Sequence, residues 1–304
     1  MSTRRGLFRK RSLIERRQYW GLIFVLPTVA FFLIFFLYPI LSGIYYSFTD
    51  FTLLKPPVWV GLQNYKDLLQ DRLFMTSVKV TLKFALGATV PVWVLSLAAA
   101  VVFYRKFPAR ELLKVFFFSP VLPSLMVVAI VWRIMLQPGG VLTSAVRPFT
   151  GRAEINWLND PQLSPLSMIV INDWTIIPFF MVIWLAGLSG IPSELRDAAR
   201  VDGANGWQTF LRVELPLLRP TALFVTTITT IQAFQAFTLQ YAISPGRGGP
   251  IDVNTTMGLL IWKYGFQYYR MGDAAAVSVV LFVIIMLVVG VQLLLGRGEQ
   301  FTLT

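Results

Sequence analysis

The chain contains neither cysteine nor histidine. Together these absences exclude disulfides, thiol nucleophiles, the ordinary zinc ligand sets and imidazole acid–base chemistry, although they say nothing of redox compartment. Charge is scarce too: 14% of the 304 residues are Asp, Glu, Lys or Arg, against about 25% in soluble domains. So few charges cannot cover a water-facing exterior. Acidic side chains are the scarcer sign, 15 against 27 basic ones, for a formal net charge of +12. No Gly-x-x-x-x-Gly-Lys-Ser/Thr loop is present to cradle nucleotide phosphates.

What the chain does have is apolar residues, 56% of the total. They come in blocks of about 20, the length at which a helix rising ~1.5 Å per residue crosses a hydrocarbon core of ~30 Å. Six blocks, at 21–41, 82–104, 115–136, 168–188, 221–239 and 274–295, predict an all-α polytopic membrane protein with six transmembrane helices. The expected organisation is a basic cytoplasmic segment at 1–19, one transmembrane domain at 20–296 and a cytoplasmic tail at 297–304. The first block is longer than a signal-peptide core and no small-residue cleavage site follows it, so it reads as a retained helix. Pro27, Pro91, Pro120, Pro123 and Pro178 fall inside blocks. Each reads either as a static kink that improves packing or as a point of bending.

Orientation follows from Lys and Arg. Sixteen lie in the segments on the N-terminal side of the membrane and eight on the opposite side, which places both termini in the cytoplasm. The basic N-terminal run then serves as an orientation signal in contact with lipid headgroups, and nucleic acid is not an expected partner. Tyr45, Tyr46 and Trp59 cluster near the predicted outer boundary. They suit an interfacial belt, with contact to an extracytoplasmic protein as the alternative.

The most patterned stretch is the cytoplasmic segment 191–220, IPSELRDAARVDGANGWQTFLRVELPLLRP. Ser193 is placed at a helix N-cap with Glu194 in the first turn, and Asp202-Gly203 marks a turn. A second short helix over 205–213 presents Trp207, Phe210 and Leu211 as an apolar face before Pro216 and Pro220 redirect the chain. Periodicity alone leaves two receivers for that face, the chain's own bundle or a cytoplasmic partner.

The same segment resembles the EAA loop of bacterial ATP-binding-cassette importer permeases, whose pattern is E-A-A, three residues, G, nine residues, I-x-L-P. Asp197, Ala198 and Ala199 stand for E-A-A, Gly203 is the glycine, Ala204 completes a D-G-A form, and Val213, Leu215 and Pro216 take the last positions. SFTDF at 47–51, GLQNYKDLL at 61–69, LAGLSGIP at 185–192 and GGP at 248–250 resemble the sugar-permease branch, which contains maltose-, lactose- and glycerol-3-phosphate-type subunits. The resemblance implies the type I importer fold and an inward-moving sugar, with glycerol phosphate or another solute as the alternative. It also implies that the second short helix, with Trp207 and Phe210, docks into a partner ATPase. Its partners would be a second related permease, forming a heterodimer, two ATPases that bind ATP and Mg, and an extracytoplasmic solute-binding protein. This chain would hold no cofactor or metal of its own and would be no enzyme, resident in the cytoplasmic membrane of a bacterium or archaeon. A lipid-processing membrane enzyme is the different-class alternative. Asp197 departs from glutamate by one methylene, and Thr238 stands where many members carry aspartate.

Substrate-path candidates come from polar residues inside apolar blocks. Gln232 and Gln235 are three apart on the predicted fifth span, with Thr238 beyond them, and Asn172 and Trp174 sit on the fourth. Either these residues line the path or the glutamines hydrogen-bond between helices and Trp174 anchors at the interface. Asp173 reads as a cap, a snorkelling group or a partner of Lys79, Lys83 or Arg133 near the outer end of that span.

Overall fold

A computed structural model describes residues 13–105, 107–150 and 155–296. Positions 1–12 of the expected N-terminal segment and the tail at 297–304 lie outside the described residues. The chain is a polytopic helical membrane permease fold, with five helical segments among the described residues long and apolar enough to cross a membrane and a bent pair that makes a sixth if counted as one span.

The first span joins α1 (Leu13–Phe32) through a π-helical turn at Leu33–Leu37 to α2 (Tyr38–Tyr46). Pro39 has no N–H to offer Phe35, and the wider turn falls at that point. None of this span's apolar window is buried within the chain. It leads into a two-stranded antiparallel hairpin, β1 (Thr49–Thr52) and β2 (Lys55–Trp59), with Thr49 opposite Trp59. This short ribbon is an unpredicted addition to an otherwise helical fold: Pro56 and Pro57 sit on it, where no further strand needs their missing donors. The hairpin also brings Tyr45 against Tyr46 and Trp59. After α3 (Gln63–Gln70), Asn64 donates to the carbonyls of Ser47 and Thr49 at 2.9 Å each, and Tyr65 donates to Ser47 Oγ at 2.7 Å.

Helix α4 (Arg72–Tyr104) starts ten residues before its predicted span, because Asp71 caps it by accepting from the Leu73 and Phe74 amides. Its buried Ala85, Ala88, Ser96 and Ala100 keep one face narrow. Against that face lies α8 (Leu163–Ser189), and the two form the most extensive helix pair, as expected where small residues let membrane helices approach. Trp184 of α8 is fully buried, donating to Ser96 Oγ at 3.0 Å and meeting Trp93 edge-on.

The predicted third span is not one straight helix. α5 (Arg110–Phe118) and a short 3-10 turn at Ser119–Val121 meet α6 (Leu125–Leu136) at 91°. Pro120 and Pro123 withhold two donors there, and Ser124 caps α6 by accepting from Val127 N. An unpredicted amphipathic helix, α7 (Val141–Thr150), follows on the hairpin's side of the bundle under the predicted orientation. The segment 191–220 carries α9 (Ser193–Val201), α10 (Gly206–Thr209), a π turn at Phe210–Glu214 and α11 (Leu215–Leu217). The fifth span is broken: α12 (Arg219–Phe234) ends, and α13 (Thr238–Ile243) resumes after residues 235–237. Helix α14 (Met257–Trp262), a π turn at Lys263–Gln267 and the final span α15 (Met271–Gly296) complete the chain.

Candidate functional site

The patterned segment folds as a helical hairpin whose turn is closed by its own backbone. Gly203 has φ +82°, its N–H donates to Arg200 O at 3.0 Å, and the Ala204 N–H donates to Ala199 O at 2.9 Å. This pair of bonds is the Schellman arrangement that satisfies the last carbonyls of a helix, and it needs a residue tolerant of positive φ. Within the chain, a Cβ on Gly203 would meet no atom within 4 Å, so the turn conformation demands glycine and close approach does not.

The second short helix begins where expected. Asn205 Oδ1 accepts from the Trp207 and Gln208 amides at 3.1 and 2.9 Å, and the Asn205 N–H donates back to Gln208 Oε1 at 2.8 Å. This reciprocal capping box fixes the helix start without tertiary help. Two details differ from expectation. Pro192, not Ser193, occupies the cap of α9, and no side chain caps that end, since Ser193 has already entered the helix. The expected apolar face also divides. Trp207 is 64% exposed and Leu211 is exposed, whereas Phe210 turns in to pack on the core cluster around Trp184 and Leu188 while stacking on Trp207 at 5.6 Å.

Asp197, Ala198 and Pro216 are exposed, and Ala199, Ala204, Val213 and Leu215 are half-buried along the hairpin's inner side. Asp197 accepts from Arg200 at 3.0 Å, an exposed i,i+3 pair. Such a pair contributes little to stability. The residue that ties the hairpin to the bundle is one that sequence reasoning passed over, Arg196. Its Nε donates to Glu214 Oε1 at 2.6 Å, Nη1 to Ile191 O at 3.2 Å and Nη2 to Leu188 O at 2.7 Å. Its guanidinium also lies 4.9 Å from the centre of the Tyr104 ring. One side chain thus joins the ends of α8 and α4 to the chain entering α12, with only 13% of it and 14% of Glu214's side chain exposed. The signal was an Arg beside the motif's acidic position and a lone Glu 18 residues later; no periodicity distinguishes them from solvated charges.

The path candidates divide in the same way. Trp174 is exposed and meets Trp132 of α6 edge-on at 5.4 Å. Asn172 is half-buried and donates to Asp173 Oδ1 at 3.1 Å. Asp173 is buried and forms no ion pair with Lys79, Lys83 or Arg133. It also sits ten residues inside α8, not at its outer end, because that helix starts at Leu163. Gln232 ends up on α12, Gln235 at its C-cap and Thr238 at the first position of α13, so the glutamines do not share an unbroken helical face. Gln232 and Gln235 are exposed and Thr238 half-buried, and none of the three side chains hydrogen-bonds among the described residues. Thr256, the N-cap of α14, donates to the freed Ala236 carbonyl at 2.6 Å and so stabilises the break. Irregular backbone at membrane depth persists only where protein or a watered cavity satisfies it.

Comparison with known proteins agrees with this architecture. Residues 93–298 match the family described as "Binding-protein-dependent transport system inner membrane component". A probable ABC transporter permease protein, YesP, of Bacillus subtilis is 34% identical over 92% of this chain and 91% of its own length. The multiple sugar-binding transport system permease protein MsmF of Streptococcus mutans is 31% identical over 92% of this chain and 96% of its own. Among solved structures, a subunit of a bacterial alginate ABC transporter, crystallised with an alginate pentasaccharide-bound periplasmic protein, superposes with a TM-score of 0.83 at 22% identity. That match covers 94% of this chain and 98% of the other. The chain belongs to the inner-membrane permease family of binding-protein-dependent ABC transport systems.

Proposed function

We propose that this chain is one of two unlike membrane-spanning subunits of an importer that moves a sugar or oligosaccharide inward, both termini facing the cytoplasm. The observation that carries the reading is the cytoplasmic hairpin. It is closed by its own caps, held to α4, α8 and the approach to α12 by Arg196 and Glu214, and presents an exposed Trp207. Such a strut transmits a push from an ATPase groove to three helices at once. Asp197, Ala198, Ala199, Gly203 and Ala204 shape the hairpin. Trp207 and Phe210 form its docking side, and Val213, Leu215 and Pro216 lead back into the bundle.

ATP and Mg would be bound by two partner ATPases. The fully uncovered first span supports a second permease as its neighbour. The solute class rests on the relatives: MsmF is named for multiple sugar transport. In this reading the solute passes the α12–α13 break, where Gln232, Gln235 and Thr238 offer amides and a hydroxyl not used within the chain, with Asn172 and Trp174 lining the path from α8. An extracytoplasmic binding protein would deliver it.

Uptake of a labelled sugar panel by proteoliposomes holding the complete complex and its binding protein tests the proposal. ATP-dependent, selective accumulation of one sugar is the expected result. An ATPase-active complex that accumulates no sugar but takes up another solute would overturn the sugar assignment.

A further inference from the structure

A cavity of about 250 Å³ lies between the first turns of α4 and α8, with Gln240 of α13 and Thr256 in its wall, beside the α12–α13 break. Its walls carry two cations and no anion. Lys79 and Lys83 stand one turn apart on α4, both exposed, and neither forms an ion pair or a hydrogen bond within the chain. Lys79 lies just before the predicted span 82–104 and Lys83 at its start, both on α4, and a charge at that depth is costly unless something answers it. Opposite them, Gln240 of α13 is 1% exposed, and both its amide nitrogen and its amide oxygen are buried without a partner. The neighbouring polar walls are already engaged: Asn254 donates to Ser164, and Thr256 to Ala236 O. Phe84, Met168 and Pro165 supply an apolar floor.

We propose that this cavity binds an acidic saccharide, with its carboxylate between Lys79 and Lys83 and a hydroxyl on the Gln240 amide. The saccharide class rests on the proposed function, whereas the charge preference rests on the lysines. A buried amide that can both donate and accept suits a hydroxyl, which does the same. The apolar floor suits the C–H face of a sugar ring. Anionic lipid headgroups would also answer the lysines, which can snorkel toward the interface. They leave Gln240 unexplained, because a headgroup held by the lysines at the interface needs no amide partner from α13.

The test is calorimetric binding to the complete complex in phosphatidylcholine nanodiscs, using trigalacturonate and its fully methyl-esterified, uncharged form. The acid should bind at least about tenfold more tightly, the scale of hydrogen bonds to a charged group. Lys79→Met with Lys83→Met should erase the preference, and Lys79→Arg with Lys83→Arg should keep it. Gln240→Leu should weaken acid and ester alike. Equal affinity for acid and ester, or a preference that survives the methionine substitutions, overturns the proposal. So does lysine-dependent retention of phosphatidylglycerol without any saccharide preference. Because binding needs no transport, a complex that takes up no sugar would count against the proposed function while this measurement still decides the site.

Discussion

The two ends of the fifth span treat polar groups in opposite ways. At the end that carries the 191–220 hairpin they bond one another: Arg196 with Glu214, Asn205 with Gln208, Gly203 and Ala204 with the last carbonyls of α9. At the outer end, Gln232, Gln235 and Thr238 make no hydrogen bond within the chain, and Gln240 is enclosed with neither end of its amide paired. Buried polar groups are costly when unpaired and rigidifying when fully paired. A strut can satisfy itself, but a surface that receives a polar solute must hold donors and acceptors in reserve.

The largest effect should come from breaking the strut. Arg196→Met strands Glu214 and uncaps the end of α8; because the pair is part-buried, the cost falls below the roughly 3–5 kcal/mol of a fully buried pair. ATP-driven uptake should fall by about two orders of magnitude while the purified ATPase subunits keep their own activity. Uptake near that of the native protein would reduce Arg196 to a surface charge. Next is Gly203→Val, which forces a β-branched residue to φ +82° at a cost of roughly 1–2 kcal/mol. ATPase co-purification should weaken about tenfold, and Gly203→Asn, which tolerates that conformation better, should recover part of it. Equal loss in both variants would point to a contact with the partner, not the turn.

The end that carries the 191–220 hairpin was the more legible in sequence, and for a physical reason. Caps and turns are local, so Asp202-Gly203 and Asn205 announce themselves within a few residues. The outer end depends on distant pairings. The start of α4 after Asp71 lies outside the apolar block, since Arg72, Thr76, Ser77 and Lys79 interrupt its apolar residues. The right-angle bend could be suspected from Pro120 and Pro123, but not its 91° size, which packing sets. The break at 235–237 has no proline or glycine; it is held by Thr256, some 20 residues on. Gln240 looked no different from the glutamines before it until α13 turned it inward. Arg196 was hidden for the same reason, because its partners come from three elements.

At the outer end, Gln232→Leu and Gln235→Leu sharpen the contrast. Because neither side chain is bonded within the chain, thermal stability of the complex should move by less than about 0.5 kcal/mol. Uptake should fall several-fold, expressed mainly as a raised KM for the solute. A clear loss of stability with unchanged KM would move these residues from the path to an interface with the second subunit.

The smallest effect concerns an exception at that same end. Tyr264, in the π turn before α15, donates to Asp71, the cap of α4, and so ties the hairpin-side loops to the central pair. Burial, then the bond to Asp71 and its negative charge, hold this hydroxyl well above the usual tyrosine range. The unfolded chain releases the proton near pH 10, whereas the fold retains it. The fold therefore binds more protons than the unfolded chain above that pH, and stability must fall as pH rises through it. Tyr264→Phe should cost about 1 kcal/mol at neutral pH, and this difference from the native complex should shrink above pH ~10. Thermal unfolding of the two complexes at pH 7.5 and 10.5 measures it. A gap that stays constant across that interval would mean that Tyr264 contributes its ring alone, and that the α4 cap is held at that end without its hydroxyl.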